Sequence, residues 1–226
     1  MRQKILYVFA HPDDETFSCG GTICHFHQSG HKQILFCATH GEAGKTGNPP
    51  LCPQEELGNV RKQELQNALS ILGMDQLILK NYGDGRLAKQ PFSTIAGELC
   101  SVMNEIRPDR IITFPPSGIS GHPDHKVIQK ATLAAVQNIS FPTKLYYIVI
   151  PESIAHFYSA PVSFVPDESV TEKVDVTPYH HQIAKALAAH ETQHLSVKRV
   201  FPGVLSGNTD RLRKYEYFQL IVNKTS

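Results

Sequence analysis

Residues 4–15, with the sequence KILYVFAHPDDE, decide the fold of this chain. The run from Ile5 to Ala10 is almost continuously apolar, which is typical of a strand covered on both faces of a parallel sheet. The polar residues of HPDDE follow at once, and Pro12 suits the first turn of a helix. This strand, turn and helix start predicts an open α/β sheet whose polar side chains gather at the carboxyl end of the first strand.

The rest of the chain repeats this alternation. Further strands are predicted at 33–39, 76–79, 110–114 and 144–150, with helices at 22–28, 55–72, 91–106 and 123–137. Beyond residue 151 the pattern weakens to a possible hairpin at 162–176, a helix at 178–190 and a last strand at 215–222. We predict an α/β fold: a Rossmann-like, mostly parallel sheet flanked by helices. It is expected to form a single domain over 1–226, with its core at about 4–195 and a C-terminal extension.

Composition narrows the function classes. The 22 Lys and Arg residues nearly balance the 21 Asp and Glu residues. The chain thus lacks the excess of basic residues that is typical of nucleic-acid-binding proteins. No apolar run approaches the length of a membrane span, and the first run is too short for a signal sequence. The five cysteines form no CxxC pair, which favours free thiols in a reducing compartment. We therefore expect a cytoplasmic protein that acts on a small molecule.

Two short motifs have the spacing of a metal site. His11 and Asp14 are three residues apart, as are His122 and His125, and each pair follows a predicted strand where a helix begins. Positions i and i+3 of one helical turn face the same side. A catalytic zinc takes three His or carboxylate ligands and leaves a place for water, so these residues are candidate ligands. Either motif alone could instead be a turn with a helix cap.

Two functions other than that of a metal-dependent enzyme are compatible with an α/β fold. A nucleotide-binding module would need a glycine-rich turn after the first strand, whereas this chain has three carboxylates there, and Gly20-Gly21 comes too late. A non-catalytic metal-binding protein would also explain the ligand spacing. An activity assay with and without a chelator would separate such a protein from an enzyme.

The motifs AHPDDE at 10–15 and GHPDH at 121–125 resemble those of the LmbE-like or PIG-L family of zinc N-acetyl-sugar deacetylases. The resemblance covers about residues 4–195. It includes THGEAG after the second strand, Arg61 and Glu64 in one helix, and His190 with Gln193 in another. GEAGKTGNPP and ALSILGM look most like the branch that makes bacillithiol by deacetylating N-acetylglucosaminyl malate.

Residue by residue, the resemblance implies a role for ten positions. It implies zinc ligation by His11, Asp14 and His125, and a general base in Asp13. It also implies that His122 stabilises the oxyanion and that Asp124 orients this histidine. Residues that would bind the substrate are Arg61, Asp84, Glu42 and His190. Six of these positions have a structural alternative: a helix cap for Asp13, a loop support for His122, an ion pair for Arg61, a turn for Asp84, a solvent-exposed position for Glu42 and a core position for His190.

The sequence leaves open which metal and which substrate the protein binds. Two nitrogens and one carboxylate suit Zn²⁺ and also Fe²⁺ or another divalent metal. The substrate could be another N-acetyl sugar, or a bacillithiol S-conjugate cleaved at its amide, and the resemblance allows a homo-oligomer such as a trimer or hexamer. The long Gly-rich loop at 40–53 is predicted to form part of the rim over the metal.

Overall fold

The computed structural model describes residues 2–158 and 161–225, which form one seven-stranded sheet with helices against it. The strands are β1 (Lys4–Phe9), β2 (Lys32–Cys37), β3 (Gln76–Leu79), β4 (Arg110–Thr113), β5 (Lys144–Val149), β6 (Glu172–Asp175) and β7 (Tyr215–Asn223). The helices are α1 (Asp14–Gln28), α2 (Leu57–Leu72), α3 (Phe92–Ile106), α4 (Gly118–Gly121), α5 (Pro123–Asn138), α6 (His180–Ala189) and α7 (His194–Val200).

The strand order is β3-β2-β1-β4-β5-β7-β6, and β1 to β5 run parallel to one another. Strand β1 lies at the centre, and its residues from Ile5 to Phe9 have no exposed surface, as the apolar run predicts. The chain leaves β1 toward β2 on one side and later returns to β4 on the other, so a crevice opens between the ends of β1 and β4. The predicted α/β class, with a mostly parallel sheet, is confirmed.

The C-terminal extension joins this sheet instead of standing apart. Strand β7 pairs antiparallel with β5, and β6 pairs antiparallel with β7. The hairpin predicted at 162–176 is wrong, because only its last residues form a strand and their partner is β7. Pro166 interrupts the first half of that segment, and proline lacks the N–H that a hairpin ladder needs.

The crevice collects the polar motifs. Helix α1 begins after β1 and helix α5 begins after β4, so the two motifs at 11–15 and 122–125 enter the crevice from neighbouring strands. In the described part of the chain, we find no helix with both the length and the apolar character that crossing a membrane requires.

Candidate active site

Three imidazole rings meet in the crevice. His11 Nδ1 lies 3.2 Å from His125 Nε2, and the rings of His11 and His122 are 4.6 Å apart between centroids. Among the described residues, two groups place three potential metal-binding atoms within 4.8 Å of one another: His11, His122, His125 and His11, Asp84, Asp124. His11 belongs to both, so it is the centre of the cluster.

Hydrogen bonds fix which nitrogen of each ring faces the centre. His125 Nδ1 lies 3.0 Å from the carbonyl oxygen of Gly118, and Phe114 stacks on the ring at 4.0 Å. His11 Nε2 lies 3.0 Å from a carboxylate oxygen of Asp84. Carbonyl and carboxylate oxygens accept, so these two nitrogens carry the hydrogens. In neutral rings, His11 Nδ1 and His125 Nε2 therefore face each other with lone pairs.

Asp14 adds a carboxylate to this pair of nitrogens. Its oxygens lie 3.5 Å from His11 Nδ1 and 3.2 Å from His125 Nε2. Burial disfavours an ionised Asp14, but the two histidines outweigh burial and hold its pKa well below the usual value. Burial likewise disfavours a charged His11, but hydrogen bonds with carboxylates hold the pKa of this ring well above the usual value. Two nitrogens and one carboxylate thus converge, and this donor set is of the kind that holds a divalent metal.

Asp13 lies beside this group in a strained backbone conformation. Its φ of 112° falls in the region that favours glycine, so the surrounding contacts must hold the turn in place. The backbone N–H of Asp13 donates to Glu15 Oε2 at 3.1 Å, and Arg61 Nη2 lies 3.0 Å from its carboxylate. Burial raises the pKa of Asp13 to about 6, with Arg61 acting in the opposite direction.

Arg61 is buried behind this turn instead of lying open to a substrate. Its guanidinium donates to the carbonyl oxygens of Pro12 and Gly41 as well as to Asp13. Only 4% of the residue is exposed. Its Nη1 and Nη2 donors serve the protein, while its buried Nε has no partner among the described residues, and the expected contact with a sugar stays a prediction. Arg61 holds Pro12 and Asp13 against the loop after β2.

Asp84 and Glu42 also bind protein groups. Asp84 contacts His11 with one oxygen, and its other oxygen accepts from the N–H of Ala43 at 3.1 Å. Glu42 in return accepts from the N–H of Asp84 at 2.8 Å. The two loops are thus joined by reciprocal hydrogen bonds. Asp84 orients His11, which differs from the expected substrate contact, while the second oxygen of Glu42 is buried and has no hydrogen-bond partner among the described residues.

Asp124 has a different partner from the one expected. Its carboxylate lies 3.3 Å from His11 Nε2 and accepts from the N–H groups of Gly85 and Leu87. The expected carboxylate contact with His122 is therefore replaced by one with His11. Asp124 reaches His122 through its backbone, because its own N–H donates to His122 Nδ1 at 3.2 Å.

This backbone hydrogen bond sets the tautomer of His122. A neutral ring that accepts at Nδ1 carries its hydrogen on Nε2. Burial and the neighbouring rings of His11 and His125 lower the pKa of His122, which favours that neutral ring. The half-buried His122 can therefore offer an N–H to a ligand in the crevice without being protonated.

His190 lies outside the crevice. It has no exposed surface, and its Nε2 lies 3.1 Å from Glu15 Oε1 in the core. Contact with a substrate is incompatible with complete burial, so the core alternative is correct for this residue. Glu15, which the sequence analysis did not single out, links His190 to the N–H of Asp13 and so supports the strained turn.

A cavity of about 350 Å³ opens from Asp13, Asp14 and His125. Much of its wall comes from the C-terminal region that the sequence analysis left without a role. Apolar and aromatic side chains of this wall include Phe17, Phe114, Ile154, Phe157, Tyr158, Phe201, Leu212, Tyr215 and Tyr217. Its cations are Arg199, Arg211, Arg213 and Lys214. The dense basic and aromatic run RLRKYEY at 211–217 was the signal that could have revealed this wall.

No residue of the loop at 40–53 lines this cavity, and its place at the rim over the metal stays a prediction. In this loop the carbonyl oxygen of Gly41 accepts from Arg61, and the carbonyl oxygen of Lys45 accepts from Gln193 at 2.9 Å. The loop thus packs behind His11 and Asp13 and supports the site from outside.

The fold recurs in solved structures. N,N'-diacetylchitobiose deacetylase from Pyrococcus horikoshii superposes with a TM-score of 0.69 at 20% identity, over 97% of this chain and 84% of that one. GalB, the 4-carboxy-2-hydroxymuconate hydratase of Pseudomonas putida KT2440, also has a TM-score of 0.69, at 17% identity, over 100% of this chain and 98% of that one. Likeness at this level of identity shows a shared fold and leaves the reaction open.

Sequence comparisons are more specific. A Thermobifida fusca protein named 1D-myo-inositol 2-acetamido-2-deoxy-alpha-D-glucopyranoside deacetylase is 30% identical over 97% of this chain and 93% of its own. A Bacillus anthracis protein named probable N-acetyl-alpha-D-glucosaminyl L-malate deacetylase 2 is 35% identical over 61% of each chain. Residues 6–136 match the PIG-L family model, described as GlcNAc-PI de-N-acetylase, and include both histidine motifs. This chain therefore belongs to the PIG-L family.

Proposed function

We propose that this protein is a zinc-dependent N-deacetylase of an N-acetylglucosamine conjugate, with N-acetylglucosaminyl malate as its substrate. The observation that carries the proposal is the convergence of His11, His125 and Asp14 at one end of the cavity, with Asp13 beside them. The family membership and the names of both relatives support the deacetylase reaction.

The proposed metal ligands are His11, Asp14 and His125. When bound, zinc lowers the pKa of a water molecule and polarises an acyl carbonyl. Asp13 takes a proton from the attacking water and returns it to the nitrogen of the departing amine. The Nε2–H of His122 donates to the oxygen of the amide carbonyl as negative charge develops there, and loss of one such donor typically costs ~3–4 kcal/mol.

The choice of malate over inositol is supported by the charge of the cavity wall. Arg199, Arg211 and Lys214 are exposed there and form no ion pair within 4.0 Å in the described ranges. Cations that lack an acidic partner attract a dicarboxylate more strongly than a neutral polyol. We therefore expect N-acetylglucosaminyl malate to be cleaved with a higher kcat/KM than the inositol conjugate.

The apolar part of the wall favours a second candidate. Phe17, Phe157 and Phe201 give the cavity an apolar wall that the polar groups of a sugar and of malate do not complement. A bacillithiol S-conjugate that carries an apolar substituent on sulfur would cover this surface and would be cleaved at its cysteinyl amide.

The experiment is a substrate panel on metal-stripped protein reloaded with zinc, and separately with Fe²⁺. The panel contains N-acetylglucosaminyl malate, the inositol conjugate, free N-acetylglucosamine, N,N'-diacetylchitobiose and a bacillithiol S-conjugate, and the readout is the new amine. Protein kept with excess chelator is the control. Bound zinc with no turnover of any member would favour a non-catalytic metal-binding protein, and full turnover without metal would refute the proposal.

A further inference from the structure

Helix α1 is broken one turn after it begins. At Cys19, φ is −150° and ψ is 29°, which lie outside the helical range. In an uninterrupted helix the N–H of Gly21 would donate to the carbonyl of Phe17, and that of Thr22 to the carbonyl of Ser18. A break at Cys19 disturbs these two hydrogen bonds in a buried place, where each freed group needs another partner.

Glu216 supplies the acceptors. Its two carboxylate oxygens accept from the N–H of Gly21 at 3.0 Å and from the N–H of Thr22 at 2.8 Å. Glu216 belongs to β7, and only 3% of it is exposed. A carboxylate in this place also interacts favourably with the positive end of the second helical segment.

Arg213 supplies the donors. One nitrogen of its guanidinium donates to the carbonyl of Phe17 at 2.5 Å and lies 3.4 Å from the carbonyl of Ser18. The carbonyl oxygens of Phe17 and Ser18, before the break, thus face a cation. The N–H groups of Gly21 and Thr22, after the break, face an anion. Arg213 and Glu216 together provide partners for the four groups of the two disturbed hydrogen bonds.

The broken turn is the one that carries the candidate chemistry. Asp14 opens α1, and Asp13 precedes it in the strained conformation described above. Phe17 and Ser18, which accept from Arg213, lie in the cavity wall together with Asp13 and Asp14. The direction of this first turn relative to His125 therefore depends on how the break is held.

We propose that Arg213 and Glu216 are positioning residues that hold the break in α1 and so aim Asp13 and Asp14 at His125. The kinetic part of this proposal rests on the proposed function, whereas its metal-binding part does not. The rival explanation for Arg213, which also lines the cavity, is direct contact with the substrate. The rival explanation for Glu216 is support of the fold alone.

The test compares Glu216→Gln, Arg213→Met and Arg213→Lys with wild type. Glutamine keeps the shape of Glu216 but turns one acceptor into a donor. Lysine keeps the positive charge of Arg213 but lacks the planar guanidinium with its several N–H donors. Lys198→Met and Glu168→Gln are matched controls, because both change an exposed charge away from the cavity. Zinc affinity is measured by competition with a chromophoric chelator, beside kcat, KM and thermal unfolding.

We expect Glu216→Gln and Arg213→Met to weaken zinc binding by about 10–100-fold, the range for residues that orient metal ligands. Their kcat should fall with little change in KM, Arg213→Lys should recover part of both losses, and the controls should resemble wild type. A rise in KM with unchanged zinc affinity would assign Arg213 to the substrate. A lower unfolding temperature with unchanged zinc affinity and kcat would leave both residues as fold supports, and either result overturns the proposal.

A second arm covers the case in which a variant folds poorly. At saturating zinc, the loss of kcat caused by Arg213→Lys, the mildest change, should largely disappear when Asp13 is already Asn, because both then act through the same base. Additive losses would overturn the proposal. If wild type turns over no substrate, the proposed function fails while the zinc affinities still decide the positioning role.

Discussion

His11 divides its two nitrogens between two tasks. Nδ1 faces His125 and Asp14, where a metal fits, while Nε2 faces the carboxylates of Asp84 and Asp124 at 3.0 and 3.3 Å. A carboxylate behind a metal-binding histidine fixes the tautomer and raises the basicity of the ring. Asp84, which the family pattern suggests for substrate contact, and Asp124, which it suggests for His122, therefore both act here on His11.

The role of Asp13 is tested by Asp13→Asn. The amide keeps the size of the side chain but cannot accept a proton, so kcat should fall by ~10²–10⁴, the range for general acid–base groups. Zinc should remain bound, because Asp13 is not among the proposed ligands. Turnover and metal content measured on the same sample check both expectations, and unchanged turnover would exclude Asp13 as the base.

Variants of the two histidines at the start of α5, His122 and His125, should differ in metal content. His125→Ala removes a proposed ligand and should abolish zinc binding, whereas His122→Ala should retain zinc and lower kcat. Metal analysis after dialysis distinguishes them. If zinc is lost in His122→Ala instead, the ligand group is His11, His122 and His125, which the distances also permit.

Asp84→Asn separates support of His11 from substrate contact. Loss of the negative charge behind His11 should weaken zinc binding by about 10–100-fold. Chelator competition measures this change, and Asn67→Asp on the exposed face of α2 serves as a control. A variant with normal zinc affinity but a raised KM would indicate that Asp84 contacts the substrate and does not support His11.

At the scale of elements, the close approach of α1 to the segment after β6 depends on one glycine. A Cβ at Gly21 would lie 2.3 Å from Val176 Cβ, whereas a Cβ at Gly20 would meet nothing nearer than 3.6 Å. Gly21→Ala should therefore lower the free energy of unfolding by ~1–3 kcal/mol, as overpacking typically does. Gly20→Ala is the matched control, and urea unfolding measures both. Equal stability of the two variants would contradict this packing.

Elements that follow local patterns could be predicted from sequence. The strands before residue 150 and the last strand lie within a residue or two of their predicted positions, because buried strands have short apolar runs. The break at Cys19 could not be predicted, since it depends on Arg213 and Glu216 far along the chain. The hairpin prediction at 162–176 failed for the same reason, because the strand in this segment pairs with β7, which is distant in sequence.

At the scale of the whole molecule, the candidate site was partly predictable. The two histidine motifs were identified because strand ends of a parallel sheet share one edge. The supporting roles of Arg61 and Asp84 were not, because spacing along a helix or turn does not show which loop packs against it. Much of the cavity wall was missed because many of its residues come from segments between residues 150 and 214 that lack a regular sequence pattern.

Metal should stabilise the entire fold, because the proposed ligands join residues 11–14 to residue 125. Zinc at 1,000 times its dissociation constant would add about 4 kcal/mol to the free energy of unfolding. For a chain of this size, that raises the unfolding temperature by roughly 10 °C. Thermal unfolding with zinc and with chelator measures the difference, and His125→Ala should show none. A wild-type chain insensitive to chelator would contradict the link.

Strand β7 completes the sheet only after residue 223 has left the ribosome, although its partner β5 emerges about 70 residues earlier. Meanwhile the outer edge of β5, an apolar strand, presents unpaired N–H and C=O groups on which another nascent chain could pair. The segment that closes this edge also builds the wall of the cavity. A chain stalled before residue 215 would thus carry its reactive side chains without the chamber that confines them.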